Sequence, residues 1–156
     1  MKIHIIGGPG SGKTFLAERL SKELGIPHYD LDDIQWDNSS GSYGIKQAPE
    51  KRAELLNEVL AHEDWMIEGV YYAWCSRCFE EADRIYLLKV PRYKYRFRII
   101  RRFIRRKLGI ENGKKETLSS VSKLLKWADK YRKVNYPEIE KLLIPFEDKV
   151  VRAGNK

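Results

Sequence analysis

Cysteine is scarce in this chain. Only Cys75 and Cys78 occur in 156 residues, and one pair cannot build the disulfide framework of a domain this size. Their Cys-x-x-Cys spacing lacks a second pair of ligands, since His4, His28 and His62 fall at no zinc-binding interval. Both are read as ordinary thiols. Long apolar runs are missing as well. None approaches the ~20 residues that span a bilayer, so no membrane partner is expected. No secretory leader pattern precedes the first apolar segment, and with reduced thiols this predicts a cytoplasmic protein. Repeats and low-complexity tracts are absent, and the length suits one domain over residues 1–156. Acidic residues nearly vanish from one stretch. From Arg84 to Lys115 thirteen Lys/Arg stand against a single acid, Glu111, although the whole chain carries a formal charge of only +8. The basic character is concentrated in one element, and that element is made for anions.

Glycine is placed where it carries chemistry. Gly7-Gly8-Pro9-Gly10-Ser11-Gly12-Lys13-Thr14 is a complete G-x-x-x-x-G-K-[ST] phosphate-binding loop. It follows an apolar strand pattern, Lys2-Ile3-His4-Ile5-Ile6, and precedes Leu16, Ala17, Leu20 and Leu24 at helical spacing. In such a loop, backbone N–H groups of Gly8, Pro9's neighbours, Gly10, Ser11 and Gly12 curl around phosphate oxygens, and the helix N-terminus adds its positive end. Lys13 is expected to reach the β- and γ-phosphates of ATP, and Thr14 to hold Mg²⁺ through its hydroxyl.

Strand and helix patterns alternate along the chain, as in a parallel sheet covered on both faces. Strands are expected at 2–6, 27–31, 65–68, 84–90 and 149–152, with helices at 13–24, 49–62, 92–108, 117–134 and 137–144. The fold class is α/β, a three-layer α/β/α sandwich around five parallel strands, with the ligand at their carboxyl ends. Residues 36–48 form a polar, Gly/Ser-rich loop long enough to touch substrate. Residues 92–134, including a Gly-punctuated break at 109–115, are expected to form a helical lid.

Three groups are candidates for chemistry. Asp32, at the exit of the second strand, suits orientation or deprotonation of an acceptor hydroxyl, and Asp30 suits a water-mediated contact to Mg²⁺. The alternative is a turn-capping role for Asp32 or Asp33. Glu68 ends an apolar strand before Gly69, where a Walker B carboxylate serves the metal, and an ion-paired strand end is the alternative. On the basic helix, Lys94, Arg98, Arg101, Arg102 and Arg105 share one sector, while Tyr93, Phe97, Ile100 and Ile104 share another that is expected to pack inward. Such a cationic face serves ATP phosphates, tracks a nucleic-acid backbone, or is merely solvated.

Taken together these residues resemble the adenylate kinase-like P-loop kinases, and within them the bacterial topology modulation (FlaR-like) proteins. The resemblance runs through GGPGSGKT, Leu31 to Trp36, Trp65 to Tyr71, Ala82 to Leu87, Val90-Pro91-Arg92, the Arg-rich helix, and Leu125 to Tyr131. It implies that Glu68-Gly69 places Mg²⁺ and that Arg98 and Arg102 flank the nucleotide. By likeness to shikimate kinases, Asp30 and Asp32 would bind metal and substrate; by likeness to the loop after the last strand in adenylate kinase-like enzymes, Arg152 would touch adenine. The Asp-Gly-Phe-Pro-Arg run of true adenylate kinases is not present. The expected activity is ATP- and Mg²⁺-dependent phosphoryl transfer by Lys13, Asp32, Arg98 and Arg102 to a small acceptor: a nucleoside, nucleotide or other hydroxyl compound. A DNA-associated regulator that uses the basic helix is the less favoured reading.

Overall fold

The structure is a computed structural model and describes residues 1–37, 44–111 and 117–154. Five strands form one sheet: β1 (Lys2–Gly7), β2 (His28–Asp30), β3 (Trp65–Gly69), β4 (Arg84–Leu88) and β5 (Val150–Ala153). Their order is β2-β3-β1-β4-β5, and every pairing is parallel. The central strand β1 is buried on both faces, which is why its sequence reads as an almost continuous apolar run. Its alternate side chains feed two cores. Ile3 and Ile5 join Met66, Ala17 and Ile26 on one face, while Ile6 joins Ile67, Phe79 and Leu56 on the other.

Helix α1 (Lys13–Leu24) covers the first face and ends at Gly25, whose φ of 68° forms a left-handed cap. The opposite face is covered by α2 (Leu31–Gln35), α3 (Pro49–Leu60), α4 (Ser76–Glu81) and α7 (Tyr136–Leu142). Pro49 opens α3 at a position where the missing N–H costs nothing. Between β4 and α7 the chain forms a helical hairpin, α5 (Arg92–Lys107) and α6 (Leu118–Lys130). The hairpin has its own small core of Tyr95, Ile99 and Phe103 against Val121 and Ala128. Asp129 ties its two arms together by accepting bonds from Arg92, Tyr95 and Arg96. Those donors, Arg92 first, hold the Asp129 carboxyl at about 2.

The three-layer α/β/α architecture and its five parallel strands match the sequence expectation, with boundaries shifted by a residue or two. Two short helices, α2 and α4, fall where only connecting loops were expected. The second strand is cut short because Asp30 caps α2, accepting from the Asp32 N–H at 2.8 Å. Residues 38–43 of the polar loop at 36–48 and 112–115 of the break at 109–115 lie outside the described residues. One expectation is overturned. Tyr93, Phe97, Ile100 and Ile104 do not pack inward; they are 69%, 63%, 41% and 49% exposed. Helix α5 carries two apolar rows, and α6 covers only the Tyr95–Ile99–Phe103 row.

Gly69 joins the core to the site. A Cβ there would stand 2.9 Å from Leu31 Cβ and Cδ1, so β3 and α2 approach this closely only because Gly69 has no side chain. Gly69→Ala is expected to cost about 1–3 kcal/mol by overpacking, read as a lower urea midpoint at unchanged slope. A midpoint equal to the parent's would contradict the close contact.

Candidate phosphate and acceptor site

The site forms where β1, β2 and β3 end together. The register sets Ile5 beside Glu68 and Asp30 beside Glu68, so the loop after β1 meets two carboxylates from neighbouring strand ends. Around them opens a cleft of about 970 Å³. Its base is formed by Pro9, Gly10, Gly12, Lys13 and Thr14, with Asp30, Asp32 and Glu68 beside them and Arg98 and Arg102 across from α5. Gly8 and Ser11 border an adjacent small hollow instead.

Gly10 and Gly12 hold φ values of 70° and 95°, backbone that a side chain rarely adopts. Gly12 precedes α1 and no side chain caps the helix, nor does its first turn contain an acid. The unsatisfied N–H groups and positive end of α1 therefore face the loop, as an anion site requires. Arg98 closes the rim, donating from Nη1 to the carbonyls of Gly10 at 3.3 Å and Ser11 at 2.8 Å. A Cβ on Gly12 would meet that same Nη1 at 3.2 Å.

Lys13 is buried at 9% exposure, and its Nζ donates to the Gly8 carbonyl at 3.2 Å. Among the described residues it has no ion pair. Burial pushes its pKa down, opposed by the charges of Glu68, Asp30 and Asp32. An ammonium with one protein acceptor and three carboxylates at longer range is completed by anionic oxygens. The residues present thus fit a nucleotide phosphate.

Glu68 is 2% exposed and accepts from the Thr14 hydroxyl at 2.5 Å. Burial raises its pKa, while Lys13 and the Thr14 bond oppose the rise. Asp30 is pushed up to about 6, first by burial and then by the charge of Glu68. Two carboxylates sharing one buried end repel each other, and a divalent cation relieves that repulsion. No set of three His, Cys, Asp or Glu groups among the described residues could cage a metal alone. The donor set fits Mg²⁺, which keeps waters and takes its remaining oxygens from phosphates.

Asp32 stands exposed at the cleft edge, where its Oδ1 accepts from the Tyr71 hydroxyl at 2.6 Å. Burial and the Asp32 bond raise the Tyr71 pKa, so its O–H remains a donor. Tyr71 is in turn braced: its ring lies 5.5 Å from that of Trp74, over which Arg52 stands at 5.2 Å, and Arg52 donates to Gln35. Capping of α2 is performed by Asp30, which leaves the Asp32 carboxylate pointing to the cleft.

Sequence reasoning brought Lys13, Thr14, Asp30, Asp32, Glu68, Arg98 and Arg102 to this cleft. Arg152 is elsewhere; its guanidinium pairs with Glu147 on the surface. Tyr71 and Trp36 escaped notice as site residues, as did Arg106, Lys123 and Trp127, all of which line the cleft. A signal existed for α6: Ser120, Lys123, Leu124 and Trp127 repeat at i, i+3, i+4, i+7, one helical face. Tyr71 ends the Trp65–Tyr71 segment that carries the resemblance, but its role depends on the tertiary approach of Asp32.

Comparison with known proteins bears on the fold. No family model matches the chain. It is similar to an uncharacterised Bacillus subtilis protein, YqaC, with 29% identity over 89 residues, covering 57% of this chain and 49% of the relative. It is also similar to a Chlamydia pneumoniae shikimate kinase, at 37% over 78 residues, covering 43% of this chain and 44% of the enzyme. The chain thus matches less than half the length of these curated relatives. Among solved structures, a gluconokinase from Sinorhizobium meliloti aligns with 99% of this chain and 81% of its own, at TM-score 0.56 and 17% identity. A shikimate kinase from Acinetobacter baumannii in complex with shikimate aligns with 88% of this chain and 79% of its own, at TM-score 0.54 and 20% identity. The chain has the α/β fold of P-loop kinases.

The raised Asp30 pKa makes stability depend on pH. Its folded value near 6 exceeds the ordinary carboxylate value, so between roughly pH 4 and 6 the folded state holds more protons than the unfolded one. This contribution is full below that window and is lost as pH rises through about 6. Asp30→Asn keeps the cap acceptor and removes the titration. Without ligand, the melting temperature of the variant relative to the parent should rise between pH 4.5 and 7, by about a few degrees. A difference independent of pH would contradict the assignment.

Proposed function

We propose that the protein is a kinase that transfers the γ-phosphoryl group of ATP to a hydroxyl of a small acceptor. The observation that carries this reading is the buried Lys13 ammonium, with one protein acceptor, in a left-handed glycine loop. Asp32 faces the same cleft. Thr14, with Glu68 and Asp30 acting through water, would hold Mg²⁺, which supplies charge neutralisation on the phosphates.

This chain's own residues divide the work. Lys13 and the loop N–H groups bind and orient the phosphates. Asp32, held by Tyr71, takes the proton of the acceptor hydroxyl as its oxygen bonds to phosphorus and the bond to the leaving diphosphate oxygen breaks. Arg98 and Arg102 stabilise negative charge as it develops. Their position supports this reading over a DNA-bound regulator, because Arg98 binds the loop itself and Arg102 lines the cleft. Kinship to adenylate kinase-like enzymes and to the topology modulation branch rests on the sequence motifs, and a cytoplasmic location on the two free thiols, Cys75 and Cys78. A nucleoside, nucleotide or other small hydroxyl compound suits the dimensions of the cleft.

The test is a screen of small hydroxyl compounds, including shikimate, gluconate and nucleosides, for ATP-dependent phosphorylation. With the acceptor found, Asp32→Asn should lower kcat about a hundredfold or more while ATP affinity stays within about twofold. Tyr71→Phe should lower it less, since Asp32 loses the bond that orients its carboxylate. Phosphorylation at the parent rate by Asp32→Asn would leave Asp32 without a catalytic role.

A further inference from the structure

The outer face of α5 is not explained by the cleft. Tyr93, Phe97, Ile100, Ile104 and Leu108 are 69%, 63%, 41%, 49% and 67% exposed. At ~100° per residue they fall within a sector of about 80°. The row that α6 covers, Tyr95, Ile99 and Phe103, lies on a different side. Apolar residues exposed singly are ordinary, but a continuous strip of large ones marks a surface that meets something. Cations border the strip on both sides: Lys94, Arg101 and Arg105 along one edge, Arg96 and Lys107 along the other. Arg96 is taken by Asp129 and Arg105 by Glu111. Lys94 and Arg101 have no ion pair among the described residues.

The pattern selects among occupants. A DNA backbone wants cations at the centre of the contact, yet here the centre is Phe97, Ile100 and Ile104. A second copy docked through the same face would set cations bordering one strip, Lys94, Arg101 and Lys107, against cations bordering the other, like charge on like. The strip lies on one helix, and none of its residues lines either described cleft. A surface that is apolar a few ångströms down and anionic at its top fits both features, with the rings and isoleucines at the acyl boundary and the cations among headgroups.

We propose that the outer face of α5 docks the protein on anionic lipid surfaces as a peripheral, reversible contact. No described helix is long and apolar enough to cross a membrane, so the contact is interfacial; the lack of long apolar runs that spoke against a membrane partner excludes spanning only. The arginines that serve the cleft, Arg98 and Arg102, lie beyond the Lys94–Arg101–Arg105 edge, so the apolar strip and the phosphate site face apart, with those three cations between them. The inference does not rest on phosphoryl transfer.

The experiment is sedimentation of the full chain with vesicles of phosphatidylcholine carrying about one third phosphatidylglycerol, against pure phosphatidylcholine, near physiological salt. Binding to the anionic vesicles only is expected. Phe97→Ser with Ile104→Ser, both at exposed sites, should weaken it about tenfold or more with an unchanged melting temperature. Arg101→Glu should weaken it as well, most at low salt. Absence of binding to anionic vesicles would overturn the proposal. So would equal binding by the Phe97/Ile104 variant, which would mark plain adhesion of a basic protein. A concentration-dependent dimer abolished by that variant, without vesicle binding, would assign the face to a second copy, and duplex DNA binding without vesicle binding would assign it to nucleic acid.

Discussion

Burial of charge at the ends of three parallel strands is the constraint around which this molecule is arranged. Lys13, Glu68 and Asp30 sit where β1, β3 and β2 terminate, with Lys13 and Glu68 almost wholly removed from water. Unpaired charges in such a place cost several kcal/mol each after relaxation. The fold meets part of that cost with the Thr14 bond to Glu68 and the Gly8 carbonyl at Lys13. Burial still outweighs that compensation, as the direction of each pKa shift records: Lys13 is lowered, and Glu68 and Asp30 are raised. Phosphate oxygens and a divalent cation are the partners whose charges complete the set. The glycines of the loop, Gly69 against Leu31 and the tight β2–α2 junction bring these groups together.

Much of this was legible in the chain. A phosphate loop identifies itself because its chemistry is local: eight consecutive residues contain the turn, the ammonium and the hydroxyl. Glu68 was legible as an acid ending an apolar strand. Parallel strands buried on both faces show as short apolar runs, so the α/β sandwich followed from alternation with amphipathic segments. Arg98 and Arg102 were reachable because helical spacing places them on one face.

The remainder depends on contacts remote in sequence. Tyr71 matters because α2 brings Asp32 beside it, 39 residues away in the chain. Arg152 took the local partner Glu147 in place of the cleft. The inner face of α5 was misjudged because periodicity reports that a row is apolar without reporting which row finds a partner. Two apolar rows compete there, and the Asp129 cluster, joining Arg92, Tyr95 and Arg96 to α6, favours the Tyr95 row.

The account stands most directly on Lys13 as the buried cation that receives nucleotide phosphate. Calorimetric titration of Mg²⁺ and ATP into the parent and into Lys13→Met measures this without knowledge of the acceptor. Saturable one-to-one binding by the parent, weakened about tenfold or more in a Lys13→Met protein that remains folded, is the result predicted. Equal affinity in the two proteins, or no binding by the parent, would contradict it.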